Sequence, residues 1–190
     1  MRLISISLLI TTSLLLGACT EITTERTPMN ASDRFYDSSV YASRIPQHID
    51  TLHEKAIVVD PNVHVWGAYD KQGSLVRAGI ATAGGDWCED NNRPCRTAVG
   101  TFRIQRMAGW ECASTIYPKP HGGGLMPYCM FFHDDQALHG SPDEAIVENN
   151  ISHGCVRVRI PDAEWIQTQF ASKGTKVIIK PYQEEPITQE

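Results

Sequence analysis

"NNISHGCVRVRIPD", residues 149–162, sets one cysteine between a histidine–glycine pair and a basic, alternating run. Cys155 is open to four readings there: buried thiol, disulfide half, metal ligand or nucleophile. The residues beyond it frame the fold. Pro161 suits the first position of a helix, where its missing N–H costs nothing, and Asp162 and Glu164 fall in the first turn, near the positive end of the helix dipole. Trp165, Ile166 and Phe170 then share one face, and Gly174 ends the helix. "TKVIIKPY" (175–182) reads as a closing strand. Upstream, "KAIVVD" and "NVHVWGAYD" are strand-like, and Lys71-Gln72-Gly73 make a hairpin turn into "SLVRAGIATAG". "VGTFRIQRM" alternates, and "LMPYCMFF" and "QALHG" are two more strands with Asp134-Asp135 in the turn between them. Many short strands and one modest helix predict a mostly-β sandwich or barrel.

The chain has 190 residues, 42% of them hydrophobic, enough for one good core and one domain. Its formal net charge of −5, with no cluster of Lys and Arg, argues against a nucleic-acid partner. The first stretch stands apart from the fold. After Arg2 an apolar run begins at Leu3, too short and too rich in Ser and Thr for a membrane span. It ends in Leu16-Gly17-Ala18-Cys19, which resembles the lipobox of bacterial lipoproteins, whose cysteine is lipidated after cleavage. An ordinary secretory signal is the alternative. The lipobox reading makes residues 1–18 a signal peptide and 19–55 a lipidated N-terminus and polar tether. The folded domain is then 56–181, and 182–190 a tail. It implies export to the periplasmic side and a membrane anchor through Cys19, and Thr20, in place of Asp, favours the outer membrane.

Export also predicts that thiols with a near partner are oxidised. With Cys19 set aside, Cys88, Cys95, Cys112, Cys129 and Cys155 remain, an odd number. Cys88 and Cys95 bracket the turn-rich "EDNNRP", and closing so small a loop stabilises by roughly 2–3 kcal/mol. Neither has a neighbour at the spacing usual for structural zinc. Cys112 and Cys129 are the preferred second pair, although four cysteines permit three pairings. Cys155 is the one left over.

A free thiol is mostly protonated at neutral pH, so a nucleophilic cysteine needs a histidine to take its proton and a group to orient that histidine. His48, His53 and His64 read as surface or packing residues, and His121 and His133 as rim residues. His139 ends the strand "QALHG", and the loop that follows returns the chain to Cys155. His153 points to the same side as Cys155 if the segment is extended. This reading expects a thiolate formed below the free-thiol pKa. A buried thiol with satisfied histidines, or a zinc site of His139, His153 and Cys155, are the rival readings.

"HGSPDEAIVENNISHGCVRV" resembles the signature of the YkuD-type L,D-transpeptidase catalytic domain, an upstream histidine followed by Ser-His-Gly-Cys-x-Arg/Asn. "IVVDPNVHVWGAYDKQGSLVRAGIATAG" resembles that family's opening hairpin, "RTAVGTFRI" its Thr-Pro-x-Gly-x-Phe turn (with Ala98 in place of proline), and "MPYCMFFHDDQALHG" its pocket strands. The likeness spans about residues 56–181. The paired cysteines and the "MPYCMFFH" wording resemble the EnhA-like exported subgroup.

The resemblance implies that Cys155 is the nucleophile, His139 its base and the Gly140 carbonyl the orienter of the imidazole. Ser152, His153 and Gly154 shape the loop, with the N–H groups of Gly154 and Cys155 as oxyanion donors. Arg157 braces the loop or pairs with a substrate carboxylate, and Tyr128 lines the donor site; Arg159 has no assigned role. The implied reaction is acyl transfer on peptidoglycan stem peptides with no metal or organic cofactor. Hydrolysis with water as acceptor, or a retired surface protein acting in host contact, are the alternatives.

Overall fold

The structure is a computed structural model and describes residues 37–183. The proposed signal peptide, Cys19 and the end of the tail lie outside the described residues. Strands β1 (Ala56–Asp60), β2 (Val65–Tyr69) and β3 (Leu75–Ile80) form an antiparallel meander. β4 (Gly100–Arg103) and the last strand, β9 (Lys176–Ile179), complete a five-stranded sheet of order β3-β2-β1-β9-β4, in which β1 and β9 run parallel. A four-stranded sheet holds β5 (Arg106–Met107), β6 (Met130–His133), β7 (Gln136–Ser141) and β8 (Val156–Arg159), in that order. The core between the sheets takes Ile57, Val59, Trp66, Val177 and Ile179 from one and Met130, Phe132, Leu138, Val156 and Val158 from the other. Helix α2 (Ile160–Trp165), continued by a wider π-helical stretch (Ile166–Phe170), adds Ala163, Ile166 and Phe170. The architecture is thus a mostly-β sandwich with few helices.

Three expectations are refined. The run "VGTFRIQRM" is two strands, because buried Ile104 turns the chain from the first sheet into the second. "LMPYCMFF" is strand only from Met130: Pro127 has no N–H to donate, and Tyr128 sits at φ +56°, which breaks an extended run. α2 begins at Ile160, with Pro161 second.

Residues 37–55, assigned by sequence to the tether, are packed on the domain. Helix α1 (Ser38–Ala42), capped by Asp37, leads into a segment whose Ile45 is buried with Val58, Val65, Tyr69 and Ala78. The Tyr69 hydroxyl donates to the Pro46 carbonyl at 2.7 Å. This explains β1: all five of its residues are buried because this segment covers the face turned away from the main core. The expected tail also begins late, since Tyr182 Oη accepts from Thr97 N–H and donates to the Gly84 carbonyl, both at 3.0 Å. A chain starting at residue 56 is expected to lose on the order of 2–5 kcal/mol through Ile45 alone. A urea midpoint equal to that of a chain starting at residue 37 would show that the cover contributes nothing.

Candidate active site

Strand alternation sorts the residues of β7 and β8. Leu138, Val156 and Val158 enter the core, which leaves Ala137, His139, Ser141 and Arg157 on the opposite face. The two strands pair in parallel, with Leu138 opposite Val156 and His139 opposite Arg157. Cys155, just before β8, shares the face of Arg157. A cavity of about 920 Å³ lies on this face, lined by Cys155, His139, Arg157, Gln136 and Ser141 among others. Two loops closed by disulfides form its other walls. Cys88 is bonded to Cys95, and Cys112 to Cys129, with Cα separations of 5.8 and 6.2 Å; Cys155 is free.

His139 is buried, and its Nδ1 lies 2.8 Å from the Gly140 carbonyl oxygen, so Nδ1–H donates and Nε2 keeps a lone pair. Ser141 Oγ is a further 3.5 Å neighbour of Nδ1. Burial lowers the imidazole pKa to about 4; the Gly140 bond opposes this and the Arg157 charge adds to it. Half-buried Cys155 points its thiol at the Asp135 carbonyl, 3.9 Å away. Burial raises its pKa, against the pull of the Ala137 N–H and Arg157, while Asp135 raises it further. The low-pKa thiolate expected from sequence is therefore corrected. Desolvation favours the neutral form of both groups, and, among the described residues, no hydrogen bond joins them. A neutral thiol and a neutral imidazole on one cavity wall can serve as a proton donor and acceptor.

The loop before β8 is held from within and from outside. Ser152, fully buried, gives its hydroxyl proton to the Cys155 carbonyl and accepts Gly154 N–H at 3.1 Å. Its N–H donates to Ala83 O at 3.0 Å and its carbonyl accepts from Gly85 at 2.9 Å, while Thr82 and Arg157 exchange two backbone bonds of 2.9 Å. Gly154 sits at φ +123°, where an added Cβ would lie 2.9 Å from Gln136 Nε2. Its N–H is committed to Ser152, which corrects its expected oxyanion role and leaves Cys155's own N–H as the candidate donor.

Arg157 is half-buried in the cavity wall with no acidic partner among the described residues; burial lowers its pKa, opposed by the Cys155 charge. Arg159 is buried beside Asp143, with Nε 3.5 Å from Oδ1, and is not solvent-facing. Tyr128 is not a lining residue: its left-handed backbone leaves the ring packed against the main core, and its hydroxyl meets Glu164 Oε1 at 2.9 Å. His153 lines the cavity, with Nε2 2.9 Å from Asp90 Oδ1 and its ring stacked on Tyr117 at 4.1 Å between centroids.

Sequence reasoning missed Gln136, Asp90 and Tyr117. Gln136 Oε1 accepts Ala98 N–H at 2.8 Å and so ties the Thr97–Gly100 turn to the cavity. Asp90 and Tyr117 lie inside the segments that the cysteines bracket, and that bracketing was the available signal. Among the described residues one trio has metal-like spacing, Cys88, Asp90 and His153, but the Cys88 sulfur is bonded to Cys95 and offers no thiolate. His139, His153 and Cys155 do not form such a set.

Residues 54–179 match the family model of the YkuD L,D-transpeptidase catalytic domain. YciB of Bacillus subtilis (strain 168), a protein provisionally named an L,D-transpeptidase, is 28% identical over 138 residues, covering 67% of this chain and 68% of YciB. A solved L,D-transpeptidase from Xylanimonas cellulosilytica DSM 15894 superposes with a TM-score of 0.61 at 24% identity, covering 73% of this chain and 66% of that one. One from Mycobacterium smegmatis gives 0.55 at 19%, covering 67% and 59%. This chain thus spans less than two thirds of the length of either solved chain. At these identities the structural likeness is one of fold.

The buried imidazole generates a prediction. Unfolded, His139 binds its proton near pH 6.5; folded, at about 4. Between these values only the unfolded chain takes up the proton, so stability falls as pH drops through that window, by about 3 kcal/mol from this residue. Urea unfolding at pH 7 and pH 4.5 should show most of that loss in the wild type and little of it in His139→Gln. Equal losses would overturn the assignment.

Proposed function

The chain belongs to the L,D-transpeptidase catalytic domain family, and on that premise we propose that it is a peptidoglycan L,D-transpeptidase with Cys155 as nucleophile. The observation that carries this reading is the one free thiol among the described residues, on the same cavity wall as a buried histidine whose Nε2 lone pair is fixed by Gly140. Cys155 Sγ attacks the carbonyl between the third-position diamino acid and the terminal D-alanine of a stem tetrapeptide, and its proton passes to His139 Nε2. As the tetrahedral intermediate collapses, the C–N bond breaks, His139 returns the proton to the departing D-alanine amine, and a thioester remains. An acceptor amine from another stem, a lipoprotein or a free D-amino acid then takes the acyl group, so that one difficult displacement becomes two easier ones. Arg157, charged and without an acidic partner among the described residues, suits a substrate carboxylate.

The paired cysteines and the "MPYCMFFH" segment support placement in the EnhA-like subgroup, and the Leu16–Cys19 sequence supports a lipid anchor at Cys19 on the periplasmic side, in the outer membrane. Among the described residues no helix is long and apolar enough to cross a membrane. Labelled palmitate should enter the wild type and not Cys19→Ala; unchanged labelling would remove the anchor from the proposal.

Incubation with purified stem tetrapeptide should give D-alanine, a thioester adduct by intact mass and cross-linked dimer. Cys155→Ala should give none of these and fold normally, and His139→Ala should lose about 10²–10⁴-fold in acylation. Tripeptide without dimer would instead assign water as the acceptor. An adduct on Cys155→Ala would refute the nucleophile.

A further inference from the structure

His153 is held from two sides, by Asp90 and by Tyr117. Asp90 Oδ1 takes its Nε2 at 2.9 Å, which makes Nε2 the protonated nitrogen and leaves the Nδ1 lone pair with no bonding partner among the described residues. Tyr117 stacks on the ring at 4.1 Å. Both supports are fixed in turn. Lys119 Nζ donates to the Asp90 carbonyl at 3.2 Å and to Asn91 Oδ1, and Asn91 Nδ2 meets the Tyr117 hydroxyl. Asp90 and Asn91 belong to the loop closed by Cys88–Cys95, while Tyr117 and Lys119 belong to the segment closed by Cys112–Cys129. The two disulfide-closed segments thus meet around one imidazole in the wall of the reaction cavity.

We propose that His153 is a second base, serving the acceptor, and that Asp90 is its positioning residue. The inference rests on the acyl-transfer reading above. An acceptor amine reaches the cavity as an ammonium and has two protons to lose, whereas His139 in the acyl-enzyme takes up only one. His153 Nδ1 accepts the first, and Asp90 steadies the resulting imidazolium, which releases the proton to solvent through its partly exposed edge. The neutral amine nitrogen bonds to the thioester carbon. Its second proton passes to His139 Nε2 and on to Cys155 Sγ as the C–S bond breaks. The charged and titratable groups around His153 are Asp90, Arg93, Tyr117 and Lys119 on the disulfide-closed segments, and Cys155 and Arg157 further along its own stretch of chain. His139 does not suit the first task, since burial keeps its affinity for a proton low.

The test separates the two protons. Acyl-enzyme is formed from stem tetrapeptide on the wild type, Asp90→Asn and Asp90→Glu, then offered D-methionine, an ammonium at pH 7, or hydroxylamine, which is uncharged there. Mass spectrometry reads aminolysis against hydrolysis. With D-methionine that ratio should fall about 10-fold or more in Asp90→Asn and recover in part in Asp90→Glu. With hydroxylamine it should stay within about twofold of wild type, as should the rate of acyl-enzyme formation. An equal fall with both acceptors would mean a merely structural Asp90 and overturn the inference, as would no fall with either. A wild type that forms no acyl-enzyme would remove the acyl-transfer reading itself, and this inference with it.

Discussion

Parallel pairing between β7 and β8 is the constraint on which the site depends. Parallel neighbours cannot be joined by a tight hairpin, so the chain must leave at Ser141 and return at Val156 by a long connection. The register then sets His139 opposite Arg157 and delivers Cys155 onto the same face. The free edge of β8 is occupied by Thr82–Gly85, whose backbone bonds fix the 152–157 segment from its other side. The loop that bears the thiol is held between two pieces of chain distant in sequence, and its remaining freedom is taken up by Ser152 and by a glycine at a backbone angle other residues avoid.

The outer face of the four-stranded sheet carries a different economy from the inner one. The inner face is apolar and closes a core with the five-stranded sheet. The outer face buries ionisable groups under disulfide-closed segments, and desolvation moves each toward its uncharged form: His139 downward, Cys155 upward, Arg157 downward. Among the described residues no acidic group pairs with the Arg157 guanidinium, which stays charged in the wall beside Cys155. That arrangement leaves a cation in the cavity wall and favours the proton on sulfur.

Much of this was legible in the sequence, for reasons that can be named. Alternation and turn residues marked the strands, and the odd cysteine marked Cys155, because both depend on local chemistry. The thickness of the cover over β1 was not legible: Ile45 sits in a polar stretch, and only the fold shows that it shields Val58 and Tyr69. Tyr128 was misplaced because a proline and a left-handed residue end a run whose composition reads as strand. Asp90 and Tyr117 were hidden because they meet His153 across separations of 63 and 36 residues in the chain, and no periodicity reports a contact of that kind.

The raised pKa of Cys155 has a consequence outside the reaction. Thiol–disulfide exchange and peroxide oxidation both run through the thiolate, so a thiol kept protonated by burial is slow toward every oxidant it meets. Four other cysteines must find partners while this one must not. Once the domain is folded and both disulfides are closed, a thiol held protonated by burial is a slow partner for exchange with them and is slow to reach the sulfenic acid. Desolvation thus slows oxidation of the free thiol without a separate protective group.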